Sequence, residues 1–144
     1  VGLWLVYPLR AILLDAESRL QAGGGGVNTI AWRRSETLEY LRSHPPSEDR
    51  VLYSNFPDAL FVLAGIRSRW IPQRHGWNSV RAGAAPSELR GKWPETDDTQ
   101  LIWFNAQGPD SFLYGLEELR DVAEFSTEAV LTDGGIFRLG RRKR

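Results

Sequence analysis

Short apolar runs, separated by polar turns marked with glycine and proline, set the outline of this chain. Val51-Leu52-Tyr53 follows the charged turn Ser47-Glu48-Asp49-Arg50 and is closed by Ser54-Asn55, the pattern of a buried strand. Asn55 then stands where a helix N-cap is needed. Pro57 falls in the first turn, where a missing N–H costs nothing, and Asp58 lies at the positive end of the helix dipole. Ala59 to Ala64 carries no polar residue, which predicts a helix buried on every side. Gly65 is placed to end that helix in a left-handed conformation. Arg69-Trp70-Ile71, stopped by Pro72, reads as a second strand. Arg50 to Arg74 therefore predicts a βαβ unit with a right-handed crossover, around which the rest of the chain packs.

The same reading extends to both sides. Val1 to Leu9 is uncharged but far shorter than the roughly 20 apolar residues of a membrane-spanning helix. It fits a docked helix, a buried strand-like segment, or the last turns of a spanning helix, and its length favours the docked helix. Gln21 to Gly26 reads as a flexible joint. Trp32 to Ser43 predicts a helix capped at Ser35, with Leu38 and Leu41 on its apolar edge and Pro45-Pro46 after it. Gln73 to Thr99 is irregular, with one or two helical turns at Pro86 to Arg90. Gln100 to Phe104 is a second core strand. Asp110 is expected to cap a helix running to about Val122, with Phe112, Leu113, Leu116 and Leu119 toward the sheet. Gly115 inside it costs about 1 kcal/mol relative to alanine. Asp133-Gly134, between Val130-Leu131 and Ile136-Phe137, signals a hairpin.

The expected fold class is α/β: a small Rossmann-like layered domain with a short, mostly parallel central sheet and an antiparallel C-terminal hairpin at one edge. The expected organisation is an N-terminal apolar helix over 1–22, one α/β domain over 23–140 and a basic, disordered tail over 141–144.

Composition narrows the functional classes. Lysine plus arginine equals aspartate plus glutamate at 18 each, so no charge imbalance points to nucleic acid. With no cysteine, disulfides, thiolate chemistry and cysteine-held zinc are excluded. A chain that opens on Val-Gly-Leu-Trp, with no methionine, reads as a fragment or a processed product. No nucleophile–base pair, phosphate loop or metal-ligand spacing stands out. No catalytic residue, metal ligand or cofactor is therefore assigned. Asp97-Asp98 lacks a partnering histidine or glutamate.

In open α/β sheets ligands bind beyond the carboxyl ends of the strands. That rule selects Ser54, Asn55 and Asp58 after the first strand and Asn105 after the third. His75 and Trp77 join them from the long loop, as anion- or sugar-facing groups. A free-standing ligand-binding domain or enzyme would have its site there, near Asn55 and Asn105. A protein-interaction module using some of the 6 tryptophans is the third class of reading.

Several motifs follow one another in a recognisable order: an apolar helix end, a Gly-rich joint, and Trp32-Arg33 with Ser35. Then come the turn from Tyr53 to Ala59, Pro72, Trp103-Phe104, and the hairpin from Asp133 to Phe137. This order resembles the C-terminal extracytoplasmic domain of bacterial polytopic membrane proteins of the GT-C glycosyltransferase type, related to protein mannosyltransferases. Tyr53 to Ala59 is its most specific piece. The resemblance implies that Val1 to Leu14 ends a transmembrane helix, reversing the docked-helix preference. It also implies that the catalytic carboxylate lies outside this chain, and that the domain serves as an accessory part of a cell-membrane protein. Its implied partners are the parent membrane domain and a glycan or lipid-linked sugar.

Overall fold

The computed structural model describes residues 29–74, 85–106 and 112–142. The chain divides into two compact units, Val1–Ser35 and Glu36–Arg144. The expected boundary at residue 22 and the glycine joint lie outside the described residues. In the first unit, α1 (Ile30–Arg33) is capped by Thr29, whose Oγ1 accepts from the Trp32 N–H at 3.5 Å.

The second unit is mixed α/β. Its elements in order are α2 (Glu36–Ser43), β1 (Val51–Ser54), α3 (Pro57–Ala64), β2 (Arg69–Trp70), α4 (Pro86–Leu89), β3 (Thr99–Phe104), α5 (Leu116–Arg120), β4 (Ala123–Leu131) and β5 (Gly134–Arg141). The five strands form one open sheet in the order β2-β1-β3-β5-β4. β1 pairs parallel with β2 and β3, while β5 runs antiparallel to both β3 and β4. The strand–helix–strand unit and the C-terminal hairpin thus occupy the two sides of β3.

Alternation along paired strands sorts the core into two layers. On one face Tyr53, Leu101, Trp103, Phe137 and Leu139 join Leu113, Leu119 and Val122 in a single buried cluster. On the other face the register aligns Ser54, Ile102 and Ile136, all buried. Here α2 buries Leu38 and Leu41, and α3 buries Ala59 and Leu60.

Three local expectations are corrected. The helix α3 is not buried all round. Ala59 and Leu60 are sealed, but Phe61 and Val62 are 55% and 62% exposed, because α3 is an outer layer with one side away from the sheet. Gly65 does end it at φ 70°, with the Ile66 N–H reaching back to the Leu60 carbonyl at 3.3 Å. The helix expected from Asp110 is only Leu116–Arg120, with Gly115 extended at φ −71°, ψ 160° as its N-cap. Asp110 itself lies outside the described residues. Glycine is unfavourable inside a helix but suits the position before one, and the Gly115 N–H donates to the Glu118 carboxylate at 2.7 Å. The apolar spacing survives, since Leu113 and Leu119 belong to the buried cluster and Phe112 and Leu116 pack on it. The first two residues of the expected disordered tail belong to the fold. Arg141 closes β5, and the Arg142 guanidinium donates to the carbonyls of Arg120 and Asp121 at 3.4 and 3.1 Å. Residues 143–144 lie outside the described residues.

The hairpin forms, with Thr132-Asp133 as its loop and Leu131 paired to Gly134. The Asp133 carboxylate caps α2 from 96 residues away. Its Oδ1 accepts from the Thr37 N–H at 3.0 Å and the Thr37 hydroxyl at 2.8 Å. Gly134 is required by proximity: a Cβ there would stand 2.1 Å from the Trp103 carbonyl oxygen and 2.8 Å from Thr37 Oγ1. Asp133→Ala is expected to lower stability by about 1–2 kcal/mol, the worth of a strong helix cap, and Asp133→Asn by less, because its amide oxygen still accepts. Urea denaturation checks this: an unchanged midpoint in Asp133→Ala would remove the capping role.

Candidate functional site

The chemistry-bearing residues gather where the three parallel strands end. Ser54 closes β1 and is fully buried, and its Oγ accepts from the Phe56 N–H at 3.0 Å, turning the chain out of the sheet. Asn55 comes next and is 1% exposed. Its Nδ2 donates to the Phe104 carbonyl at 2.7 Å, and its Oδ1 accepts from the Phe104 N–H at 2.9 Å. The side chain therefore pairs with β3 as though it were one more residue of β1. This corrects its expected role as a helix cap. Phe56 takes the N-cap position of α3 with no side-chain hydrogen bond, because both groups of the Asn55 amide are held by β3.

Asp58 and Asn105 differ from this pair. Asp58 is exposed in the first turn of α3, and Asn105 is exposed just past β3, its N–H donating to the Asp133 carbonyl at 2.9 Å. Neither side chain has a hydrogen bond or ion pair among the described residues. The two asparagines flank one edge of the sheet, one sealed between strands and the other open. His75 and Trp77 lie outside the described residues. The described histidine, His44, stacks on Tyr40 with ring centroids 4.4 Å apart.

Sequence reasoning passed over Trp70, reading it only as a strand residue. It ends β2 in register with Ser54, so it stands on the same carboxyl edge. It is 37% exposed, with its ring 5.8 Å from that of Phe112 and tilted by 55°. The signal available in the sequence was its place as the last strand residue before Ile71-Pro72.

The opposite ends of the strands carry the charge. Arg50 pairs with Asp98 at 3.1 Å and Glu128 at 3.5 Å, and Asp98 also meets Arg138 at 3.5 Å. Asp97 accepts from the Arg141 N–H at 3.3 Å. Arg69 pairs with Glu95 beside Tyr53. No group of three or more histidine, cysteine, aspartate or glutamate side chains among the described residues is placed to hold a metal. An open depression of about 450 Å³ lies against β4, lined by Arg120, Glu124, Phe125 and Arg142 among others, and contains none of the expected site residues. The carboxyl edge is thus equipped for hydrogen bonding and stacking.

Burial pushes the Tyr53 phenol above its ordinary pKa of 10.0, and the nearby Glu95 carboxylate adds to the rise against the opposing pull of Arg69. The unfolded chain then loses this proton at lower pH than the folded one. Stability is intact below pH 10 and falls as pH rises through the raised folded value. Tyr53→Phe is expected to flatten this alkaline decline. Urea midpoints taken across the alkaline range test it, and an identical decline in both proteins would exclude Tyr53 as its source.

Asn55→Ala removes both side-chain hydrogen bonds to the buried Phe104 backbone and is expected to cost about 2–5 kcal/mol. Asn55→Asp is expected to be similarly harmful, because a carboxylate cannot donate to the Phe104 carbonyl. A urea midpoint close to wild type in either variant would show that the bridge carries no stability.

Compared with family models, with curated proteins and with solved structures, the chain finds no match.

Proposed function

We propose that this chain is the non-catalytic extracytoplasmic domain of a membrane-bound, glycosyltransferase-like protein, where it positions a glycan or acceptor. The observation that carries the reading is the nature of Tyr53 to Ala59, the most specific stretch of the resemblance. In the structure this stretch is a strand-to-helix turn in which Ser54 and Asn55 bond to backbone and Tyr53 is in the core. Such a motif specifies a scaffold. The finer Rossmann-like description belongs to the same proposal, supported by the parallel order β2-β1-β3 with helices over both faces.

Among the described residues no helix is long and apolar enough to cross a membrane, and Val1 to Leu14 lies outside them. The reading takes that segment as the end of the parent's last spanning helix and places the domain beyond the membrane. It rests there beside the membrane part, with a lipid-linked sugar as its neighbour.

Fractionation and protease protection of the natural gene product test this. The expected product is membrane-embedded, with this domain cleaved by protease added to the outside of intact spheroplasts. A product recovered wholly in the soluble fraction would overturn the proposal.

A further inference from the structure

Three arginines from separate parts of the chain meet at the end of α5. Arg90 follows α4, Arg120 is the last residue of α5, and Arg142 follows β5. The Arg90 Nε donates to the Asp121 carbonyl at 3.2 Å, and the Arg142 guanidinium donates to the same oxygen at 3.1 Å. Two guanidinium groups therefore flank one atom. Both lone pairs of that carbonyl are taken, yet neither cation gains a neutralising charge. Neither has an ion pair among the described residues. One such donor is enough to cap a helix end, so the second adds repulsion between like charges. Arg142 also donates to the Arg120 carbonyl at 3.4 Å. The Arg120 guanidinium is held over the rings of Phe125 and Phe137, 5.9 and 5.8 Å from their centroids. Its ion-pair partner, the exposed Glu117, stands 3.7 Å away.

Arg120 and Arg142 line the open depression of about 450 Å³ against β4, together with Phe125. Glu124 lines it too, but strand alternation turns Glu124 to the face opposite Phe125. There it is paired with Gly140, and its Oε2 would stand 3.7 Å from a Cβ at that glycine. The Phe125 side of the depression is thus cationic. We infer that Arg90, Arg120 and Arg142 form a receptor for a phosphomonoester group, with the organic part of the ligand lying against Phe125. The charge count selects the class. Arg90 and Arg142 bring two charges that no carboxylate neutralises, and a phosphate monoester carries about two negative charges above its second pKa of about 6. A carboxylate or a sulfate ester supplies one. Guanidinium forks match phosphate oxygens in shape. Carbonyls and rings already hold the three groups in place, so little side-chain ordering opposes binding. The inference goes beyond the proposed accessory role and does not depend on it.

Isothermal titration calorimetry on the whole chain at low ionic strength tests the site, with phenyl phosphate as the probe and phenyl sulfate as its singly charged counterpart. Flotation with phosphatidylcholine vesicles containing phosphatidic acid presents the same group on a lipid surface. Binding to phenyl phosphate alone assigns the site to a soluble ester, binding to the vesicles alone assigns it to a lipid headgroup, and either supports it. Phenyl phosphate is expected to bind more tightly than phenyl sulfate. Arg90→Gln and Arg142→Gln are each expected to weaken binding by about tenfold, the worth of one charge-assisted hydrogen bond, on whichever probe binds. Both side chains are exposed, and should one variant fail to fold, the other decides the result. Arg67→Gln removes the same charge just before β2, at the opposite edge of the sheet, and is expected to bind as wild type does. The inference is overturned by binding to neither probe, or by unchanged affinity in a folded Arg90→Gln or Arg142→Gln chain. It is equally overturned by phenyl sulfate binding as tightly as phenyl phosphate, or by an equal loss in Arg67→Gln, the mark of a general charge effect.

Discussion

The join between Asn55 and Phe104 decides how this sheet ends. β1 must release the chain to start α3 while its neighbour β3 still needs a partner at Phe104. An extra strand residue would satisfy Phe104 but delay the helix. A side-chain amide does both jobs, because it carries a donor and an acceptor spaced like those of the backbone. Buried amide pairs are worth little when made and much when broken, since the groups left behind have no water to turn to. The arrangement also fixes what this edge can be. The gap between β1 and β3, where many α/β sheets admit a ligand, is here filled by the protein's own amide. What remains open lies to either side, at Trp70 and at Asn105.

The second polar join complements the first. Asp133 accepts from Thr37 through its side chain and from Asn105 through its carbonyl. It thereby ties α2, the end of β3 and the hairpin together at one point. With Asn55, it places two long-range polar connections at the same end of the sheet. This also explains why the dipeptide Asp133-Gly134 is there. It gives a correct hairpin signal for reasons other than turn conformation: the aspartate caps a distant helix, and the glycine admits the Trp103 carbonyl.

What the sequence revealed follows the range of the interactions. β1, β3, the hairpin and the left-handed Gly65 rest on local rules of apolar runs, turn residues and backbone freedom, and each was legible. Asn55 was not, because the local cap rule competes with a partner 49 residues away that no local pattern shows. Gly115 misled in the same manner: the apolar spacing around it is real, but the spacing continues through an extended segment that pairs Gln73 with Leu113 before the helix begins. The exposed side of α3 was missed because hydrophobicity tells how apolar a helix is, not how many layers lie above it. At the candidate site, Asp58 and Asn105 followed from the general geometry of parallel sheets. Trp70 did not, because a tryptophan in a strand reads as core.

The hairpin bears on how the molecule meets its own copies. β4 is one of the two outer strands, and nine residues long, so its free backbone edge would template another chain. Its register slips between Thr127 and Ala129, leaving Glu128 as the extra residue, anchored through Gln100 and Arg50. A second β4 laid against the first would meet a backbone edge interrupted at that bulge, with the exposed Glu124 beside it. Fibril growth by stacking on the β4 edge is thereby disfavoured in the folded state.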